Sequence, residues 1–337
     1  MTDPQNLPLR PLYPELTPYA SAFLDIPAID DLSAHQVYFE CCGNPEGIPV
    51  IYLHGGPGSA CRPQHRRYFN PDKYHIILFD QRGCGRSLPL GELSRNTTQD
   101  LIHDMETIRQ KLGIDKWLIF GGSWGSTLGI CYSREHSSHV LAMVLRGVFL
   151  GRQQDIEWVY NKDGAAQLFP SQWQSLMHCL NPIQQMAPLS AFMSALQSTE
   201  PEQRLAMATS LNDWQSAIGR LEQQNKSAML IDEAQLMAHF KIQLHYALNQ
   251  CFISDRPLLS DLDALRLLPT WLIQGQYDLV CPTQQSWALH QALPHSKLTM
   301  IHLAGHAANE DSVVDALVST TDEIAAQFAS LTTLFAK

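Results

Sequence analysis

The sequence predicts an α/β fold: a mostly parallel central sheet flanked by helices, with an inserted helical cap. Three observations predict it. Short apolar runs alternate with helix-spaced segments up to about residue 150. One of those runs, 116–120, leads directly into Gly121-Gly122-Ser123-Trp124-Gly125, a pattern suited to a sharp strand-to-helix turn. From 151 to 254 the strand signals stop, and the alternation resumes at Thr270. Buried parallel strands read as continuous apolar runs, and a helix between each pair produces this alternation.

The elements follow in order. Residues 1–30 carry six prolines and little periodicity, which predicts an extended arm on the surface. Val37 to Cys41 reads as a strand before a Gly43-Asn44-Pro45-Glu46-Gly47 turn. Val50 to Leu53 and Ile76 to Phe79 are short apolar runs bounded by turn residues, as buried strands are. Between Asp100 and Leu112 the apolar residues Leu101, Ile102, Met105, Ile108 and Leu112 share one helical stripe. After the Gly-x-Ser-x-Gly turn come a helix through Thr127–Tyr132 and a strand from Val140 to Leu145. The stretch 151–254 is rich in Gln, Met, Leu and Trp with helical spacing. A strand at Thr270–Gln274, a helix near Gln284–Leu293, a strand at Lys297–Ile301 and a helical C-terminus complete the reading. The expected division is a core of 1–150 and 255–337 with a cap of 151–254.

Composition sets the class. The chain has 337 residues, 45% hydrophobic and 17% charged, which describes a soluble globular protein. A net charge of −10 with no Lys/Arg cluster argues against nucleic-acid and anionic-membrane partners. The eight cysteines show neither a disulfide framework nor a Cys/His metal pattern, so reduced thiols and no metal site are expected. The N-terminus lacks a basic start followed by an apolar stretch, and no run is long enough to span a bilayer. A cytoplasmic location is expected. The oligomeric state is not legible.

The turn at Ser123 carries the chemistry. A Cβ at Gly121 or Gly125 would crowd backbone packed against so tight a bend. A serine raised there is a nucleophile when a base takes its proton and a third group orients the base. In the α/β-hydrolase arrangement these follow in the order Ser, Asp or Glu, His, each at the carboxyl end of a strand. Asp278 lies just past the strand ending at Gln274, and His306 just past the one ending at Ile301. Among 14 histidines, His302 reads as lying inside the last strand and pointing sideways, and His295 precedes it. Asp255 and Asp261 precede the relevant strand, and Asp80 and Asp104 precede the serine. The oxyanion hole is expected from the N–H of Trp124, after the nucleophile, and of Gly56 in the His54-Gly55-Gly56-Pro57-Gly58 loop. The Asp80–Ser87 loop lacks a P-loop's lysine and spacing, and its arginines are expected to brace the fold.

These residues together resemble the prolyl aminopeptidase (proline iminopeptidase) family. The resemblance rests on His54–Gly58, Asp80-Gln81-Arg82-Gly83-x-Gly85-x-Ser87, Gly121–Leu128 and Gly305-His306. It continues through Leu145–Leu150, Leu168-Phe169-Pro170 and Asp278-x-Val280-Cys281-Pro282, so it covers nearly the whole chain. It implies a serine peptidase that releases an N-terminal proline from small peptides through an acyl-enzyme, without a cofactor. In such enzymes cap glutamates pair with the cationic imino terminus. At the two matching positions this chain has Gln215, after Trp214, and Gln243, in Lys241-Ile242-Gln243-Leu244-His245-Tyr246-Ala247. The resemblance also implies that Phe149, Tyr246 and Cys281 line the pocket, which Ala247 enlarges. Losing both anions weakens recognition of a charged terminus unless another acid, such as Asp213, Glu222 or Glu233, replaces them. Three readings stand: a prolyl aminopeptidase of altered selectivity, a serine esterase or amidase for a neutral and somewhat larger acyl group, and a catalytically silent binding protein.

Overall fold

The computed structural model describes residues 8–221 and 232–335, with side chains to 330. Eight strands form one sheet: β1 (Ala20–Ile26), β2 (His35–Gly43), β3 (Ile48–Leu53), β4 (Tyr74–Phe79), β5 (Trp117–Gly122), β6 (Val140–Arg146), β7 (Thr270–Gly275) and β8 (Ser296–Ile301). Their order is β1-β2-β4-β3-β5-β6-β7-β8. The β1–β2 and β2–β4 pairs are antiparallel, and every other neighbour is parallel. The central strands β4, β5 and β7 are buried along their whole length, as their apolar runs require.

The N-terminal stretch differs from the surface arm expected of it. Residues 20–26 pair with β2 from Ala20 opposite Cys41 to Ile26 opposite His35. Ala22, Leu24 and Ile26 pack on the main core while Phe23 and Asp25 face outward. The alternation is weak, because the exposed Phe23 interrupts it and the surrounding prolines mask it.

Two apolar layers sandwich the sheet. One face packs against α1 (Thr98–Lys111), α2 (Trp124–Glu135) and α8 (Thr283–Ala292). The other packs against α9 (Asp311–Phe335) and the turn at Pro63–Tyr68. α1 starts at a capping box in which Thr97 and Asp100 satisfy each other's backbone N–H groups. Between β6 and β7 the chain forms α3 (Gln153–Tyr160), α4 (Pro170–Met177), α5 (Pro188–Leu196), α6 (Pro201–Gly219) and α7 (Glu233–Leu248), which share a separate apolar cluster. α7 rests on the loops after β3 and β4: Gln243 donates to the Gly56 carbonyl (3.3 Å) and Gln235 to that of Gly85 (2.8 Å).

The Asp80–Ser87 loop is braced by buried charge pairs. Arg82 holds Asp104 through two 2.7 Å hydrogen bonds and reaches Asp100 at 3.1 Å. Arg86 joins Asp80 (2.7 Å) to Glu40 (2.8 Å), and Arg66 meets Glu40 from the other side at 2.7 Å. The Arg82–Asp104 pair is bidentate and shielded from water, so removing one partner would strand a buried charge. All eight cysteines are free thiols, and seven of them are buried. Among the described residues, no helix is long and apolar enough to cross a membrane.

Candidate active site

Ser123 sits between β5 and α2 at φ 56°, ψ −124°, a conformation that L-residues rarely adopt. The turn is tight enough that only glycine fits beside it. A Cβ at Gly121 would lie 2.2 Å from the Gly125 carbonyl oxygen, and one at Gly125 would lie 2.1 Å from that of Leu53. The sheet and the turn therefore hold the hydroxyl in a strained position over the carboxyl ends of the strands.

Asp278 and His306 meet at 2.7 Å, carboxylate Oδ2 to ring Nδ1. Asp278 is fully buried, and its Oδ1 accepts from the N–H groups of Val280 (3.0 Å) and Cys281 (2.8 Å). Gln274 donates to its Oδ2 at 3.3 Å. Three donors on one carboxylate fix its orientation and hence that of the imidazole. The His306 backbone is pinned as well, because Arg146 donates to its carbonyl at 2.8 Å. The Ser123 hydroxyl lies against Cys281 Sγ at 4.0 Å rather than in a hydrogen bond with His306, although both line one cavity.

Trp124 opens α2, where backbone N–H groups have no partner within the helix. Its indole donates to Gln81 (2.8 Å) and packs edge-on against Tyr246. Across the site, His54 is fully buried, and burial lowers its pKa below the usual value. Its Nε2 accepts from the Gln81 N–H (3.0 Å), so the neutral ring carries its proton on Nδ1, beside the Gly55 carbonyl (3.0 Å). This histidine ties the Gly56 loop to the next strand end.

The helices between β6 and β7 close one side of the site. A cavity of about 50 Å³ is lined by Ser123, Gly56, Phe149, Tyr246, Cys281, Gln215 and Gln243, together with Ala247 and Tyr160. Gln215 donates from one amide nitrogen to Gln243 Oε1 (2.5 Å) and to the Tyr160 hydroxyl (3.3 Å). Gln243 in turn donates to the Gly56 carbonyl. The two amides thus form a neutral chain across the chamber. Burial raises the Cys281 thiol well above its usual pKa, so it is an un-ionised wall residue.

Of the three acids considered as replacements, Asp213 and Glu233 are exposed and line neither cavity beside Ser123, and Glu222 lies outside the described residues. Among the described residues, the carboxylate that does reach this chamber is Asp155, which the sequence reading missed. It is buried and held by Arg152 through two 2.8 Å hydrogen bonds. The Arg152-x-x-Asp155 spacing at the start of α3 was the available signal.

The comparisons with known proteins agree with this architecture. A sequence family described as alpha/beta hydrolase fold matches residues 48–313. A probable proline iminopeptidase of Leptolyngbya boryana is 41% identical over 95% of this chain and 98% of its own length. The proline iminopeptidase of Xanthomonas citri is 42% identical over 94% of this chain and 100% of its own. Among solved structures, an esterase from Exiguobacterium antarcticum superposes with a TM-score of 0.61 at 19% identity, over 89% of this chain and 99% of that one, a likeness of fold alone. By sequence along nearly its whole length, this chain belongs to the proline iminopeptidase family of alpha/beta hydrolases.

Proposed function

We propose that the protein is a serine hydrolase of the prolyl aminopeptidase type, acting on small peptides with a selectivity altered at the amine-binding end. In this reading Ser123 Oγ turns from Cys281 toward His306 and attacks the scissile carbonyl as His306 takes its proton. Catalytic hydrogen bonds are often long before substrate binds and tighten in the complex. Asp278 stabilises the imidazolium that forms. The N–H groups of Trp124 and Gly56 receive the oxyanion. His306 then protonates the leaving amine, and water hydrolyses the acyl-enzyme by the same route in reverse.

The observation that carries the reading is the strained Ser123 turn sharing a cavity with His306, the partner of Asp278, while the other side of the serine faces a chamber walled by apolar side chains. The amide chain of Gln215 and Gln243 supports the second half of the proposal. A neutral amide offers a hydrogen bond where a carboxylate would offer a charge-assisted one of about twice the strength. Asp155 does not restore that charge, because Arg152 already neutralises it.

A neutral acyl group is the second reading, and the same amide pair favours it. Hydrolysis of a proline arylamide with a free amine, its N-acetyl derivative and a short-chain aryl ester separates the two. Strong preference for the free amine supports the aminopeptidase reading. Turnover of only the acylated amide or the ester supports the neutral-substrate reading. No turnover together with no fluorophosphonate labelling of Ser123 would leave the silent binding protein.

A further inference from the structure

A second cavity, of about 290 Å³, adjoins the apolar chamber at Ser123, Gly56, Gln215 and Gln243 but does not reach Phe149 or Tyr246. Its wall holds two arginines, Arg62 and Arg146, and four histidines, His54, His65, His239 and His306. Among the described residues no carboxylate lines it, in a chain whose net charge is −10. Neither arginine has an ion-pair partner among the described residues. An unneutralised cationic cavity on an acidic protein calls for an anionic occupant.

The two charges differ in how they are held. Arg146 is fixed, with Nη1 on the His306 carbonyl and its guanidinium so close over Gly122 that a Cβ there would meet Nη2 at 2.5 Å. Arg62 is exposed at the rim. Between them, His65 stacks on Tyr52 with ring centres 4.5 Å apart and accepts the Arg62 backbone N–H on Nδ1 (3.0 Å). Burial, His54 and the two arginines push the His65 pKa down to about 3, and burial pushes that of His239 to about 4. At neutral pH these rings are uncharged, and the positive charge belongs to the arginines.

The position assigns the cavity to one half of the substrate. His306 delivers a proton to the leaving amine, so the departing residue lies on the His306 side of the scissile bond. His306 lines this cavity and not the apolar chamber. We propose that the cavity is a leaving-group subsite for a carboxylate carried by the residue after the scissile bond, so that the protein favours dipeptides with a free C-terminus. The proposal rests on Ser123 being the nucleophile.

The same chemistry could come from the main-chain carboxylate of a dipeptide or from an acidic side chain, and three peptides distinguish the two. With the acyl residue that is turned over fastest, kcat/KM is compared for the X-Gly acid, the X-Gly amide and the X-Asp amide. The acid is expected to exceed the amide by about tenfold, the scale of a charge-assisted contact partly open to solvent. In Arg62→Gln that ratio should fall about threefold, and in Arg62→Glu about tenfold, as expected for an exposed charge. Raising ionic strength should shrink it in the wild type. A preference for the X-Asp amide as well would extend the subsite to side-chain carboxylates and support it. Equal rates for all three peptides, or a ratio unchanged in Arg62→Glu, would overturn it. Failure to cleave any of them while Ser123 still reacts with a fluorophosphonate would also overturn it. Loss of that labelling would instead remove the nucleophile on which it stands.

Discussion

Exchanging both glutamines for glutamate, Gln215→Glu with Gln243→Glu, should convert the apolar chamber beside Ser123 from an amide-lined to a cation-selective one. The Gln215 nitrogen and Gln243 oxygen stand 2.5 Å apart, so two carboxylates there would place oxygens at hydrogen-bond distance. Like charges so close do not both ionise without a counter-charge, and the empty variant would hold one proton between them. A cationic N-terminus displaces that proton and gains hydrogen bonds to charged oxygens, worth about 1.5–3 kcal/mol. That converts to about a 10- to 150-fold rise in kcat/KM for a free-amine proline arylamide relative to its N-acetyl derivative. The exchange also removes the amide–amide bond and the Gln243 bond to Gly56, so the thermal midpoint should drop by a few degrees. The assay is the ratio of the two kcat/KM values, measured in wild type and variant. A ratio that moves less than about twofold, in a variant whose Ser123 still reacts, would refute the assignment of these residues to amine recognition.

Gly147→Ala should damage catalysis more than stability. At φ 53° its new Cβ would press on Asp278 Oδ2 at 3.1 Å and on the His306 ring at 3.3 Å. Steady-state kinetics should show kcat down by at least about tenfold through misplacement of the pair, and an unchanged kcat would contradict the packing described. Acid should destabilise the fold through His65 and His239, whose folded pKa values of about 3 and about 4 lie below the unfolded value near 6.5. The unfolded chain then binds more protons, so stability is full above about pH 6.5 and falls as the pH drops toward 4. Denaturant midpoints between pH 7 and 4 should show this slope, and His239→Gln should flatten it. Equal slopes in the two proteins would refute the assignment.

How far the site was legible in the sequence follows from how each part is encoded. Gly121, Ser123 and Gly125 fall within five residues because one turn needs all three, and the turn's sterics leave a local pattern. Asp278 and His306 were legible through chain order, since each follows shortly after a strand, β7 and β8, that the sequence reading placed. β1 was not, because a half-exposed edge strand alternates only weakly. Asp155 was missed because the Arg152-x-x-Asp155 spacing marks only a helix start, and it is the fold that brings α3 to the chamber wall. The cationic cavity was likewise hidden: Arg62, His65, Arg146 and His239 lie on three separate elements and a loop, and only the fold gathers them.

Ser123, activated by His306, is the proposed nucleophile from which every catalytic step above starts. Peptide mapping by mass spectrometry after reaction with a fluorophosphonate tests both points in one measurement, on wild type and His306→Ala. The expected result is a single adduct on Ser123, formed at least about 100-fold more slowly without the imidazole. An adduct on another residue, or an undiminished rate in His306→Ala, would contradict it.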